Sequence, residues 1–304
     1  MGTVAADRPG ALWAPVPRGS RLKVFAKQDT SDEMPEREDS VLSFEHVTVR
    51  FEDFKALDDV SFQMRAGETS IILGAAGSGK TVLLKTALGL LKSDSGRVCL
   101  FGQDITGLRE KELFDIRSRI GVLFQEGGLF DSLTIEENVG YPLANQRSLC
   151  CPLEEMRRRV EEALSFVELE HTLEKLPSEL SGGMRRRVGI ARAVVTEPRL
   201  VLYDSPTAGL DPITAYTIMT LIVKERDLKG TTTALATHRY QDGSVLANFR
   251  YNGATGALDH GDGGRAGRTR FLVLKEGRLV FEGNQAQLEA STDPYISRFA
   301  RREE

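Results

Sequence analysis

The order of apolar and polar positions along the chain predicts strands that alternate with helices. Apolar residues alternate with polar ones over residues 41–51 and 60–64, as in two antiparallel strands that each bury one face. TSIILG (69–74) is a continuous apolar run, which is typical of a strand buried on both faces. Further buried strands are predicted at 120–124, 200–203 and 232–237, and helices at 153–168 and 213–228. This alternation predicts an α/β fold with a mostly parallel sheet.

The two ends and one internal segment do not follow this pattern. Residues 1–40 are polar and rich in Pro, Gly and Ala, which predicts a disordered tail. Residues 250–270 are rich in Gly and have no apolar period, which predicts a flexible surface insertion. A hairpin is predicted at 271–283, with its turn at Glu276–Gly277, and residues 292–304 are predicted to form a charged helix or tail.

Composition narrows the class of protein. The 304 residues allow one large domain or two small ones, and a 40% hydrophobic, 28% charged chain fits a globular protein. The formal net charge of −4 argues against a nucleic-acid partner. The cysteines, Cys99, Cys150 and Cys151, lack the spacing of a zinc site. No stretch is long and apolar enough to span a bilayer, so we expect any membrane span to belong to another chain.

The segment GAAGSGKT (74–81) matches a phosphate-binding loop between a predicted strand and a predicted helix. Its glycines let backbone N–H groups close around phosphate oxygens, and the helix N-terminus adds its positive end. The lysine of such a loop reaches the β- and γ-phosphates, and the Ser or Thr hydroxyl binds Mg²⁺. The candidate nucleotide-binding residues here are Gly74, Ala75, Ala76, Gly77, Ser78, Gly79, Lys80 and Thr81.

Four more polar positions follow this loop in a fixed order. They are Gln125 in LFQEGGLF, Ser181 in LSGGM (180–184), Asp204 at the end of the strand LVLY, and His238 in ATHRY. Ser181, Gly182 and Gly183 stand at the start of a predicted helix, where a hydroxyl and bare N–H groups can meet an anion. An ordinary helix cap would explain this segment if it stood alone.

Taken together, this series resembles the ATP-binding domain of ABC transporters over residues 41–291. The resemblance implies a P-loop (RecA-like) core with a mostly parallel sheet, an antiparallel β subdomain, and an inserted helical subdomain at about 126–190. It implies ATP and Mg²⁺ as cofactors, with Thr81, Gln125 and Asp204 as metal ligands and His238 at the γ-phosphate. Phe51 matches the aromatic residue that stacks on adenine, although a plain strand-core role is the alternative for Phe51.

The resemblance also implies partners. Each motif occurs once, so an ABC-type site needs the LSGGM segment of a second copy, and a homodimer with two composite ATP sites is the simplest arrangement. The segments 122–139 and 180–193 resemble the ATPase of Mla- and Mce-type lipid transport systems. This implies a peripheral protein at the cytoplasmic face of the inner (plasma) membrane, working with a membrane permease and an Mce-domain lipid-binding protein.

The resemblance makes Asp204 the Walker B aspartate. Ser205 departs from the family, in which the residue after that aspartate is a catalytic glutamate. A serine hydroxyl is a poor proton acceptor near neutral pH, so hydrolysis should be slow while nucleotide binding is retained. Two hypotheses follow. The chain is either a slow ATPase that powers lipid transport, or an ATP-gated dimerising regulatory module with negligible hydrolysis. Glu126 and Asp211 are candidates for a substitute base.

Overall fold

A computed structural model describes residues 40–146, 149, 151–261 and 268–300 of the chain. The disordered tail predicted at 1–40 lies outside these residues except for Ser40, which begins the first strand. The strands are β1 (Ser40–Phe51), β2 (Phe54–Arg65), β3 (Thr69–Leu73), β4 (Ser95–Leu100), β5 (Gln103–Asp104), β6 (Ile120–Leu123), β7 (Leu200–Asp204), β8 (Thr232–Thr237), β9 (Phe249–Asn252), β10 (Ala257–His260), β11 (Thr269–Lys275) and β12 (Arg278–Gly283). The helices are α1 (Lys80–Ala87), α2 (Glu110–Arg117), α3 (Ile135–Asn145), α4 (Leu153–Phe166), α5 (Gly182–Val194), α6 (Pro212–Lys229), α7 (Tyr240–Asn248), α8 (Gln285–Glu289) and α9 (Ser297–Ala300).

The central sheet has the strand order β12-β11-β3-β8-β7-β6. Neighbours from β11 to β6 are parallel, and β12 is antiparallel to β11. A second sheet, β2-β1-β4-β5, is antiparallel throughout. The predicted α/β fold class, with a mostly parallel sheet and an antiparallel sheet beside it, is therefore confirmed.

Both faces of the central sheet are buried. On β3, Ile71 and Leu73 belong to one apolar cluster, and Ile72 belongs to the other. The first cluster contains side chains of α3 to α7, while the second contains those of β1, β2 and α1. Two-sided burial explains why β3, β7 and β8 have no exposed position.

Between β6 and β7 the chain forms α3, α4 and α5, which pack against one another. Asn138 on α3 is fully buried and accepts from the backbone N–H of Phe130 at 2.8 Å. Its amide donates to the carbonyl oxygens of Phe130, Leu133 and Thr134 at 3.0 Å each. The loop that follows β6 is thereby held in one shape.

The structure differs from the sequence prediction in three segments. Residues 250–270 are not irregular throughout, since β9 and β10 form an antiparallel hairpin at their start, while 262–267 lie outside the described residues. The apolar run TVLLKTALGLL (81–91), which predicts the helix after the P-loop, is helical only to Ala87, because Gly89 adopts a left-handed φ of 65°. Of the described residues in the segment 292–300, only the short α9 is helical, and 301–304 lie outside the described residues.

Candidate nucleotide-binding site

The loop of residues 74–81 joins the buried strand β3 to α1. Gly77 and Gly79 have φ angles of 77° and 107°, which disfavour residues with a Cβ. A Cβ at Gly79 would also lie 2.6 Å from the carbonyl oxygen of Ala56. Glycine is thus required at this position both by the backbone angle and by the close approach of β2.

Lys80 lies inside this loop. Its side chain is buried, and its Nζ donates to the carbonyl oxygens of Gly74 at 2.7 Å and Ala75 at 2.8 Å. Burial lowers the pKa of Lys80, and the Asp204 carboxylate partly opposes this effect. The ammonium group is held at the centre of the loop, where an anionic ligand would satisfy it.

The interior of the loop has the features of an anion cradle. The Ser78 hydroxyl is buried and has no hydrogen-bond partner within the described residues. A Cβ at Gly77 would meet no atom within 4 Å, so space is open beside the backbone there. An unpartnered hydroxyl, a buried ammonium group and the N-terminus of α1 together fit a nucleotide phosphate.

Thr81 and Asp204 form a pair of oxygen donors at the end of the loop. The Thr81 hydroxyl donates to Asp204 Oδ2 at 2.8 Å, and Asp204 is 3% exposed. In the part of the chain that the structure describes, no group of three or more His, Cys, Asp or Glu side chains could hold a metal ion. A hydroxyl and a carboxylate suit Mg²⁺, which usually keeps waters and phosphate oxygens as its remaining ligands.

Ser205 is held next to this pair by its side chain and its backbone. Its hydroxyl donates to Asp204 Oδ1 at 3.1 Å, and its N–H donates to the Ala236 carbonyl at 2.8 Å. Its φ of 50° lies in the left-handed region, which is uncommon for a residue other than glycine. With its proton engaged by Asp204, the hydroxyl presents its lone pairs as acceptors only.

Gln125 and His238 follow β6 and β8, Asp204 is the last residue of β7, and the P-loop follows β3. These strands are parallel neighbours, so their carboxyl ends meet at one edge of the sheet. Gln125 and His238 are exposed, and Gln125 begins a short 3₁₀ turn. Phe51 is 46% exposed at the end of β1, which contradicts the alternative that it is a core residue.

The LSGGM segment begins α5. Ser181 is the N-cap, and its hydroxyl accepts from the Met184 N–H at 3.2 Å while remaining exposed. A Cβ on Gly182 would meet nothing within 4 Å, but one on Gly183 would lie 2.5 Å from Thr214 Cγ2. Gly182 is therefore open to solvent, whereas Gly183 packs against the start of α6.

Asp211, one candidate for a substitute base, is engaged by α6. Its carboxylate accepts from the N–H groups of Ile213 and Thr214 and from the Thr214 hydroxyl. These bonds, led by the one from the Thr214 side chain, lower the pKa of Asp211. A carboxylate that accepts these three bonds is a weak base. The side chain of Glu126, the other candidate, lies outside what the structure describes.

Three residues of this region were missed by the sequence analysis. Arg186 is 5% exposed and donates to the carbonyls of Ser205, Pro206 and Ala208. The sequence alone favours either a solvated helix face or a raised positive potential near bound phosphate for the run Arg185–Arg187. Helical spacing could have found it, because Arg186 precedes the buried residues Gly189, Ile190 and Ala193 by three, four and seven positions.

Asp242 and Tyr295 have no comparable sequence signal. Buried Asp242 accepts from the hydroxyls of Thr207 at 2.6 Å and Thr237 at 2.8 Å, so it links the loop after β7 to the end of β8. The Tyr295 hydroxyl accepts from the Ala75 N–H at 3.2 Å and donates to the Leu274 carbonyl at 2.9 Å. It connects the C-terminal segment with the start of the P-loop.

Comparisons with known proteins agree with this geometry. The family model described as "ABC transporter" matches residues 57–208. The chain is 41% identical over 229 residues to the methionine import ATP-binding protein MetN of Carboxydothermus hydrogenoformans, covering 75% of this chain but only 61% of that relative. It is 30% identical over 264 residues to the intermembrane phospholipid transport system ATP-binding protein MlaF of Haemophilus influenzae, covering 87% and 91% of the two chains.

Among solved structures, a dimeric post-hydrolysis state of the ATP-binding cassette MJ0796 bound to ADP and Pi is similar, with a TM-score of 0.67 and 31% identity. The match covers 80% of this chain and 98% of that one. The chain therefore belongs to the ATP-binding proteins of the ABC transporter family, which are ATPases that use ATP with Mg²⁺.

Proposed function

We propose that this chain binds Mg-ATP at residues 74–81 and hydrolyses it slowly as the ATP-binding subunit of a transporter. The observation that carries the proposal is the convergence of Lys80, Thr81 and Asp204 beside the Ser78 hydroxyl, which has no partner among the residues that the structure describes. Lys80 would exchange its two carbonyl bonds for phosphate oxygens. The face of Phe51, which is open to solvent, would stack on the adenine.

The division of labour in the site follows from its contacts. Thr81, Asp204 and Gln125 would hold Mg²⁺, which when bound neutralises charge on the phosphates. Ser205 would orient the attacking water through a lone pair, because its proton is donated to Asp204. His238 would donate to the γ-phosphate. A missing general base costs roughly 10²- to 10⁴-fold in rate, so we expect slow turnover.

The site is completed in a homodimer, on our proposal. Ser181 caps α5 at an exposed position, which leaves Ser181 and Gly182 accessible to a second copy. The similar cassette MJ0796 is dimeric in its solved structure. Ser181→Arg should place a bulky cation where the partner's γ-phosphate sits, so ATP would still bind but the ATP-dependent dimer would be lost. Size-exclusion chromatography with light scattering tests this, and a variant that still dimerises with ATP would refute it.

The segment after Gln125 offers a surface for a membrane permease. Phe130 and Tyr141 are 42% and 40% exposed, with ring centroids 4.6 Å apart, and they line a groove of about 350 Å³ with Leu90. Gln146 Oε1 lies in the same groove without a partner in the described part of the chain. Leu133, in the same segment, is only half-exposed and does not line the groove.

No helix among the described residues is long and apolar enough to cross a membrane. Phe130→Asp should release the protein from membranes with ATP binding intact. Leu228→Asp is the matched control, because Leu228 is 56% exposed on α6 and away from the groove. Membrane flotation of the two variants beside the wild type decides the question, and equal flotation of all three proteins would contradict the docking site.

We propose phospholipid as the cargo class, with an Mce-domain protein as a further partner at the cytoplasmic face of the membrane. The support is the similarity to MlaF over 91% of that relative's length, together with the segments 122–139 and 180–193. The similarity to the methionine import protein MetN favours methionine as the competing cargo. Co-purification from native membranes followed by lipid and amino-acid analysis separates them, since an Mce-domain protein with lipid supports the first and a methionine-binding protein the second.

Ser205 favours one second candidate, an ATP-gated dimerising module with negligible turnover. Phosphate release by the wild type, compared with Lys80→Ala under identical Mg-ATP conditions and with the permease present, distinguishes the two. Turnover above the Lys80→Ala level supports the slow ATPase, and equal rates support the module.

A further inference from the structure

Arg186 reaches from α5 into the loop that carries Ser205. Its guanidinium group donates to the carbonyl oxygens of Ser205 at 3.3 Å, Pro206 at 2.5 Å and Ala208 at 2.9 Å. The side chain is 5% exposed, so these bonds are shielded from water. A planar fork of donors is suited to hold several acceptors in fixed relative positions, which a single ammonium group cannot do.

Ser205 is fixed by backbone bonds on both sides of its Cα. Its N–H is held by Ala236 on β8, and its carbonyl is held by Arg186 on α5. Its left-handed backbone costs free energy, which the surrounding bonds must offset. A shift of α5 relative to the sheet would therefore pull on one side of Ser205 while β8 holds the other.

The first turn of α5 touches the same loop region at a second point. Gly183 packs so closely on Thr214 that a Cβ would lie 2.5 Å from its methyl group. The Thr214 hydroxyl in turn donates to Asp211. Both ends of the segment 205–214 are thus in contact with α5, whose N-cap is the exposed Ser181.

We propose that Arg186 is a positioning residue, which makes the geometry of Ser205 follow the position of α5. The inference rests on the proposed dimer, in which Ser181 of one copy faces the ATP of the other. When Ser181 contacts the nucleotide bound by the other copy, α5 would shift. Arg186 would transmit this shift to Ser205 in the site of its own copy. The two sites would then be coupled reciprocally, and turnover would be cooperative in ATP.

Arg186→Met tests the proposal, with Arg186→Lys as the conservative variant and Arg185→Met as the matched control. Arg185 also lies on α5, but it donates to the Leu180 carbonyl instead. We expect Arg186→Met to lower kcat about 10-fold and the Hill coefficient for ATP toward 1, since it removes bonds from a charged donor. The lysine variant should fall between it and the wild type. The Kd for ATP should stay within about 2-fold, because the P-loop is unchanged.

Amide hydrogen exchange in the nucleotide-free protein gives a reading that does not depend on activity. Peptides covering 203–210 should exchange about 10-fold faster in Arg186→Met than in the wild type or in Arg185→Met, because the loop loses its clamp. Peptides covering 74–81 should exchange equally in all three proteins.

Unchanged exchange in 203–210, or wild-type kcat and Hill coefficient in Arg186→Met, would overturn the inference. Should the methionine variant fail to fold, as judged by circular dichroism, Arg186→Lys is scored by the same criteria. A wild type that binds and hydrolyses no ATP would defeat the proposed function instead. The exchange data would then still decide whether Arg186 holds Ser205.

Discussion

The loop at 74–81 and the loop at 204–211 lie at the ends of β3 and β7, two buried parallel strands on either side of β8, yet they are held in shape by different means. The first owes its form to glycines at left-handed φ angles and to the buried Lys80. The second has a serine at a left-handed φ and depends on bonds from Arg186 and to Ala236. The two loops meet where the Thr81 hydroxyl donates to Asp204.

This difference separates nucleotide binding from hydrolysis. The P-loop matches its family motif at every position that the motif specifies, whereas the second loop departs from the family at Ser205. Substitutions in the first loop should therefore change affinity, and substitutions at Ser205 should change the rate with affinity retained. Four predictions test that separation, from the largest expected effect to the smallest.

Lys80→Ala should weaken Mg-ATP binding by about 10- to 100-fold and abolish turnover, because hydrogen bonds from a buried ammonium group to phosphate are lost. Isothermal titration calorimetry and phosphate release measure the two effects. Lys85→Ala, on the same helix α1, is the control and should behave as the wild type. Unchanged affinity and turnover in Lys80→Ala would place the nucleotide elsewhere.

Ser205→Glu should raise kcat by about 10-fold or more, within the range that a general base supplies, while the Kd for ATP stays within about 2-fold. Single-turnover hydrolysis measures the chemical step directly. If the wild type already turns over briskly and the glutamate gives no gain, a substitute base acts elsewhere in the site, and the separation between the two loops fails.

Ser205→Ala should have a smaller effect, lowering the single-turnover rate by about 2- to 10-fold. The substitution removes the hydroxyl that donates to Asp204 at 3.1 Å and, on our proposal, orients the water. Under the same Mg-ATP conditions, a rate equal to that of the wild type would show that the hydroxyl takes no part in the reaction.

Glu225 on α6, close to Tyr203 of β7, should affect stability and leave both loops active. Burial raises the pKa of Glu225 to about 7, from a usual value of about 4.5. Between these pH values the folded state keeps a proton that the unfolded state has lost. The free energy of unfolding should therefore fall as pH rises from 4.5 to 7, by up to about 3 kcal/mol.

Glu225→Gln should remove most of this slope and stabilise the protein at pH 8. Urea unfolding at pH 5 and pH 8 measures it, and Glu154→Gln, at an exposed position on α4, is the control. An equal pH slope in wild type and Glu225→Gln would exclude Glu225 as its source, and a changed kcat would show that the second loop senses α6.

The sequence predicted those parts of the site that depend on local pattern. The strands β3, β7 and β8 could be predicted because both of their faces are buried, which favours apolar runs. The P-loop could be predicted because its backbone angles require glycine at fixed spacing. The burial of Arg186 was not predicted because its charge favours exposure, and only carbonyls brought in by a distant segment make this burial tolerable. The hairpin β9–β10 was missed since its residues are half-exposed or exposed and carry little apolar alternation.

Tyr295 connects the segment after α8 to the P-loop by hydrogen bonds. Its hydroxyl joins the Ala75 N–H to the last part of β11, and its ring packs edge-on against Phe299 of α9. A shortened version of this protein that ends before Asp293 would lose that connection, although it would keep every nucleotide-binding motif. Versions that stop before Asp293 are therefore poor stand-ins for the longer chain in binding assays.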